Sequence, residues 1–581
     1  MTPPAKRSRP CIHPASTRGC RTNHESGSKR GFDPASHAPL SYLLKSFLSF
    51  WQASEDAVAR RWYLFPICLL AICGTAVFIG AVPTRVFGHD VFFLLDNGWR
   101  VINGQRPHID YSSPWGPVTF LIAGVGLLIS RFTADGIGYG NALFGLLIGL
   151  WSHRIGRERL EPIPRILASL YLVLLVVAPY PLGRPVHYLS HAMVPNRYGY
   201  ALLGLILLES SLEGRTREKE DWFGGISAGA ATALVLFLKI SYFFGAVLLI
   251  GGFALLRGLS RQRLPGIVIG FSLVAIPLLV YLRFDVWAIL RDWNMAAHAR
   301  AEGVLFGDLG RKFLVNTPYL LLLVYLAIRG SSAERANQEG HRNFHLLRIG
   351  ALVFAADIIV IFGNQQDTQL PLSILFSLIV ISRVVSGNRT CPEKETSFHQ
   401  PVYRVTLFAA GMFFLIQFAL QVSALGYGAF LKAHPSLPPA ATRFAVPRLV
   451  PLLLYDGLDA PNSNGRKFTT YVNEGIELLR KNSRPRDTVL TMDMVNPFPY
   501  AMGRRPAVGG VAAAAYRYTL SDAHRPSDEG YFGNADIVMV PKMPASHPGY
   551  FNGFYEMYEP ALHDHFRLSA ESDMWYLYRR K

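Results

Sequence analysis

The sequence predicts an α-helical polytopic membrane protein of about eleven transmembrane helices, with a small soluble α/β domain at its C-terminus. Three observations predict it. Only 17% of the 581 residues are charged while half are apolar, against about 25% charged in ordinary soluble chains. The apolar residues gather into runs, at 63–83, 166–180, 198–208, 264–282 and 405–420, and a spanning helix needs roughly 20 of them. After Tyr427 the pattern becomes that of a water-soluble domain.

Residues 1–60 are mostly polar and basic and read as a disordered cytoplasmic tail. Cys11, His13, Cys20 and His24 lie there at spacings that suit a disordered tail better than a zinc site. No cleavable signal peptide precedes the first apolar run, which reads as an uncleaved anchor. Arg60 and Arg61 in front of it place the N-terminus inside.

From there the loops alternate in basic content. Arg154, Arg157, Arg159 and Arg165 mark one inside loop, Arg215, Arg217 and Lys219 the next, and Arg257, Arg261 and Arg263 a third. Arg329, Arg335, Arg342 and Arg348 follow, then Arg383, Arg389, Lys394 and Arg404. The alternation predicts spans near 63–83, 135–153, 166–182, 198–212, 223–238, 242–257, 264–282, 313–328, 349–363, 369–384 and 405–427. Their odd number puts the C-terminus outside. Residues 117–130 are too short for a span and read as a helix in the outer interface. The stretch 283–312 is the exception, because it is basic yet falls outside; it reads as an outer-surface helix. The expected setting is a multi-pass plasma (inner) membrane protein with its C-terminal domain periplasmic or extracytoplasmic.

The net charge of +18 sits at the ends of the apolar runs. That is the pattern of orientation signals and excludes a nucleic-acid-binding face. No cysteine falls in an outer segment, so no disulfide framework is available there. The Asn388 sequon falls on the inside and carries no weight.

Residues 428–455 are proline-rich and read as a linker along the membrane surface. Within 456–581, residues 467–481 place Phe468, Val472, Ile476 and Leu479 on one helical face. Strands are expected at 487–493 and 535–540, and a terminal hairpin at 565–579. This order predicts an α/β domain that folds as its own unit. It has no glycine-rich phosphate loop.

The first outer loop, 84–134, carries the chemistry. It reads Gly88-His89-Asp90, then Asp96-Asn97-Gly98-Trp99-Arg100, then Gly104-Gln105-Arg106-Pro107-His108-Ile109-Asp110, and then Pro114-Trp115-Gly116-Pro117. An acid follows the first span, a Gly-x-x-Pro turn and a further acid come next, and an interfacial helix ends the loop. This order resembles the GT-C class of multispanning glycosyltransferases, which use polyprenyl-phosphate sugar donors. The protein O-mannosyltransferases and the lipopolysaccharide-modifying membrane glycosyltransferases are similar families. The likeness covers residues 60–260.

The resemblance implies transfer of a sugar from a polyprenyl-phosphate donor to a glycan, lipid or protein acceptor at the outer face, among membrane lipids. It makes Asp90 the general base, since a positioned carboxylate can take the proton of an attacking hydroxyl. His89 and Arg100 join it as substrate-binding candidates. The leaving lipid phosphate calls for cations at the outer surface. Arg184, His187, His191 and Arg197 in the second outer loop, and Lys239 between two spans, are the candidates. Residues 183–197 contain no acid, so Asp96 or Asp110 is the candidate second carboxylate and a divalent metal stays open. The competing readings are a transporter or flippase, with Asp357 inside a span and Asn364 and Asp367 near its end, and a non-catalytic assembly protein of the envelope.

Overall fold

The computed structural model describes residues 63–210, 217–258, 260–299, 309–331, 338–362, 364, 369–387, 400–437, 441–456, 465–544 and 548–581. The expected tail with its Cys/His set, Arg215, Arg335, Asp367, the Asn388 sequon, Arg389 and Lys394 lie outside the described residues. All described residues belong to one compact unit.

The helices are α1 Leu64–Ile79, α2 His89–Ile102, α3 Pro117–Ile129, α4 Gly136–Arg157, α5 Pro162–Val177, α6 Val194–Ser210, α7 Arg217–Leu236, α8 Ile240–Arg257, α9 Arg263–Tyr281 and α10 Val286–Ala299. After these come α11 Leu309–Val315, α12 Thr317–Ser331, α13 Gln338–Phe362, α14 Pro371–Gly387 and α15 Gln400–Ala433. Each expected span coincides with one of these helices. Three segments are long and apolar enough to cross a membrane by length and composition: Arg263–Tyr281, Asn343–Phe362 and Val405–Ala433. Shorter apolar helices, including α1, α5 and α8, accompany them, and the chain is a multi-pass membrane protein.

Exposure sorts the helices by role. On α9, Leu264, Val268, Leu273, Ile276 and Val280 are exposed, as expected of a face turned to lipid. On α6 every residue is buried. This interior helix carries Asn196, Arg197 and Glu209. Arg263 and Arg159 both meet the Glu209 carboxylate, which clamps the far end of α6. Asp357 accepts from the backbone N–H groups of Leu372 (3.3 Å) and Ser373 (2.8 Å) and from the Ser373 hydroxyl (2.7 Å). It caps the start of α14, which gives this intramembrane acid a structural task.

The C-terminal region adds α16 Gly465–Asn482, β1 Val489–Thr491, α17 Phe498–Met502, α18 Asp528–Phe532, β2 Ile537–Pro541, α19 Pro548–His565, β3 Phe566–Glu571 and β4 Trp575–Arg580. The sheet order is β1-β2-β4-β3, with β1 and β2 parallel and the other two pairs antiparallel. The expected helix, strands and hairpin are all present, β1 being shorter than expected. On α16 the buried set includes Val472, Ile476 and Leu479, while Phe468 packs on Phe92 of α2 at 5.4 Å between ring centroids.

Two expectations need correction. The last apolar helix does not end near 427 but continues to Ala433. The proline-rich stretch after it is packed rather than extended along a surface: Phe444, Val446, Leu449 and Leu452–Tyr455 are buried. Thr84 donates its N–H to Leu453 O (2.8 Å) and its O accepts from Tyr455 N–H (2.9 Å), so this stretch braces the start of the 84–134 loop.

Candidate functional site

The segments after α1 and before α6 and the 441–455 stretch meet just before α2. Val82 N–H donates to His191 Nε2 at 3.1 Å, and Arg85 N–H donates to Leu189 O at 2.9 Å. The 183–197 segment and the 441–455 stretch thus hold residues 82–85 between them. His89-Asp90 then opens α2, a helix the apolar pattern did not reveal because acids and Arg100 interrupt it. Asp90 therefore stands in a helical first turn, not in open loop, and an anion is favoured there by the helix dipole. Its side chain keeps 26% exposure, with His89 Nε2 3.8 Å from Oδ1. Burial raises the Asp90 pKa above the usual aspartate value, and His89 opposes that. A half-buried carboxylate of raised basicity suits proton abstraction.

Asp96 and Arg100 pair with each other. Arg100 Nε donates to Asp96 Oδ2 at 3.0 Å, the i,i+4 spacing on α2. Burial raises the Asp96 pKa, against the lowering pull of Arg100. Arg100 Nη1 also donates to Gln105 Oε1 and to the Ala507 carbonyl, each at 2.9 Å. Arg100, expected to bind substrate, instead ties α2 to the C-terminal region. Trp99 does the same through Nε1 to Arg504 O at 2.7 Å.

Asp110 is committed locally. Its Oδ2 accepts from Arg106 N–H at 2.7 Å and closes the turn of the Gly-x-x-Pro stretch. Its carbonyl accepts from Gly509 N–H at 2.7 Å. His108 lies in this turn with positive φ (71°) and is 1% exposed. Its Nδ1 is 3.0 Å from Oδ2 of Asp292 on α10, and Ser113 N–H donates to the same oxygen at 2.8 Å. The basic stretch read as an outer-surface helix is therefore a docked helix whose buried acid organises the first loop. Only Asp292, the lone acid within Val286–Ala299, could have signalled it.

The expected cations divide. Arg184 and His187 are exposed, with His187 against the Tyr188 ring at 4.7 Å. His191 is buried and accepts from Val82, and so does not share a ligand set with His187. Arg197 is 2% exposed. Its Nε and Nη1 have no hydrogen-bond partner among the described residues. Beside it in sequence, Asn196 Oδ1 accepts from Lys239 Nζ at 3.0 Å. Lys239 Nζ also lies over the Trp115 ring, 5.9 Å from its centroid, and Trp115 packs on Phe93 of α2 at 4.7 Å. Gly116 allows this approach, because a Cβ there would meet Phe237 O at 2.0 Å. An unbroken series of contacts thus runs from α2 through Trp115 and Lys239 to the head of α6. Trp115, Asn196 and Asp292 were not singled out from the sequence. Among the described residues, no three His, Cys, Asp or Glu side chains are grouped so as to hold a metal ion.

No family model matches the chain, and no curated protein matches it. Solved structures do. The chain is similar in structure to ArnT from Cupriavidus metallidurans bound to undecaprenyl phosphate, at 10% identity and a TM-score of 0.45, over 89% of this chain and 98% of that one. It is also similar to the Archaeoglobus fulgidus oligosaccharyltransferase tethered to an acceptor peptide, at 12% identity and a TM-score of 0.36, over 89% and 74% of the two chains. AglB from the same organism, in complex with an inhibitory peptide and a dolichol-phosphate, gives 11% identity and a TM-score of 0.30, over 83% and 70%.

Proposed function

We propose that this protein is a membrane glycosyltransferase that moves a sugar from a polyprenyl-phosphate donor to an acceptor hydroxyl at the outer face of the membrane. The observation that carries this reading is Arg197, a buried guanidinium with two nitrogens that meet no hydrogen-bond partner among the described residues. Burying a cation without a counter-charge costs several kcal/mol, and a phosphate oxyanion recovers that cost through charge-assisted hydrogen bonds. Lys239, held by Asn196, supplies a second cation on the same series of contacts.

The reaction balances simply. The acceptor oxygen bonds to the anomeric carbon as the bond from that carbon to the phosphate oxygen breaks. The hydroxyl proton passes to Asp90, and the lipid phosphate leaves with its electron pair beside Arg197. In-line attack inverts the anomeric centre. Asp96 and Asp110, engaged by Arg100 and by the Arg106 turn, serve to shape the loop rather than to take the proton.

The test uses the full-length protein in detergent, with a labelled polyprenyl-phosphate sugar and an envelope extract as the source of acceptor. Label should move from the lipid to extract material, and Asp90→Asn should stop it. Donor that binds the wild-type protein yet keeps its label with every extract would overturn the proposal.

A further inference from the structure

A second polar site lies between α2 and the C-terminal sheet, on the face of α2 that carries Phe93, Asp96, Asn97 and Arg100. From the other side Thr491, Asp493 and Asn496 close a small pocket over it. Asp96 is 6% and Asn97 1% exposed. Each has one side-chain oxygen, Oδ1, that accepts no hydrogen bond from a described residue.

The roles of the other groups are settled. Asn97 Nδ2 donates to Phe93 O at 2.8 Å, which fixes the amide so that Oδ1 is the free atom. Asp96 uses Oδ2 for Arg100. Arg100 also donates to Gln105 and Ala507. Thr491 donates to Asn496 Oδ1 at 2.7 Å, and Tyr471 donates to Asp493 Oδ2 at 2.6 Å. The uncommitted atoms on α2 are therefore both acceptors. The pocket lining holds two carboxylates against one guanidinium.

Buried acceptors without donors cost about 1–3 kcal/mol each. The occupant must therefore offer these oxygens either hydrogen-bond donors or a positive charge to coordinate, and the excess of carboxylates favours the charge. The free space, about 10 Å³ for the centre of a water-sized group, is on the scale of a single bound water or ion. We infer that this pocket binds a compact cation through Asp96 Oδ1 and Asn97 Oδ1, either the primary ammonium end of a larger ligand or a small inorganic ion. A bound cation there would tie α2, which carries Asp90 at its head, to the C-terminal sheet. The inference does not depend on sugar transfer and is tested without it.

The experiment follows thermal unfolding of the full-length protein in detergent. Methylammonium chloride and calcium chloride are titrated separately, against tetramethylammonium chloride at matched ionic strength. Tetramethylammonium carries the charge but no N–H donor. A saturable rise in unfolding temperature is expected with one of the two compact cations and none with tetramethylammonium. A response to methylammonium identifies an ammonium ligand, and a response to calcium a free ion. Asn97→Leu and Asp493→Asn should each abolish the rise, so that one variant suffices if the other fails to fold. Identical curves in all three salts, or a rise that both variants keep, would overturn the inference.

Discussion

Asp292 Oδ2 stands 3.0 Å from His108 Nδ1 and accepts the backbone N–H of Ser113 at 2.8 Å, joining α10 to the segment that follows the Gly-x-x-Pro turn. The acid is fully buried. Arg291 reinforces the contact by donating Nη2 to His108 O at 3.1 Å. Asp292→Ala leaves the Ser113 N–H and the His108 ring facing a cavity, and should cost roughly 2–5 kcal/mol. We expect a lower unfolding temperature together with new protease sensitivity at Arg106. Unfolding that matches wild type would show that α10 only rests on the loop.

Asp90→Asn keeps the size of the side chain and removes its basicity. Transfer should fall by about a hundred-fold or more, the scale for losing a positioned base, while donor binding holds. The pH dependence carries a sign. Burial raises the Asp90 pKa and the proton must be off for catalysis, so kcat/KM should fall with acidification through an inflection above the ordinary value of 3.8. Because His89 opposes the rise, His89→Ala should move that inflection further up. An inflection unchanged in Asp90→Asn would assign it to another group.

Much of the fold is legible in the sequence because lipid demands long apolar runs, and each expected span coincides with a helix. The chemistry is less so. In α2, Asp96 and Arg100 break the apolar pattern on the face that meets the C-terminal region, so a helix reads as a loop. Once the helix is granted, their i,i+4 spacing predicts the pair. The contacts of Trp99 to Arg504 and of Arg100 to Ala507 cross some four hundred residues, and no local pattern encodes them. Arg197 could be picked as an outer-loop cation. Its burial could not, because it comes from tertiary packing on every side of α6 and not from any local pattern.

Arg197 separates binding from stability. A cation kept buried for function should burden the empty protein. Arg197→Met retains the apolar stem and removes the charge, so the unfolding temperature should hold or rise. Donor affinity should drop by about 1.5–3 kcal/mol, the worth of a charge-assisted hydrogen bond. Opposite signs in the two measurements are the signature of a phosphate-binding role. A fall in both would make the arginine structural.

His191 offers a stability test with a defined pH window. Its Nε2 accepts from Val82 N–H, so the ring is neutral and its proton sits on Nδ1. Protonating Nε2 breaks that bond. Burial, then the nearby charges of Arg197 and Lys432, push the pKa down from 6.5 to about 3. The unfolded chain therefore binds this proton first. Between pH 6.5 and about 3 it holds more protons than the folded chain, and stability falls as pH drops through that window. Above the window the contribution is complete and flat. The slope inside it is at most about 1.4 kcal/mol per pH unit. His191→Gln keeps an acceptor for Val82 but cannot take up the proton, so its unfolding temperature should decline less than that of wild type between pH 7 and pH 4.5. Arg197→Met should also flatten the wild-type decline in part, because it removes one of the charges that hold His191 neutral. Parallel curves for wild type and His191→Gln would mean that the ring gains its proton without cost, and that the Val82 contact does not hold the 183–197 segment against the entrance of α2.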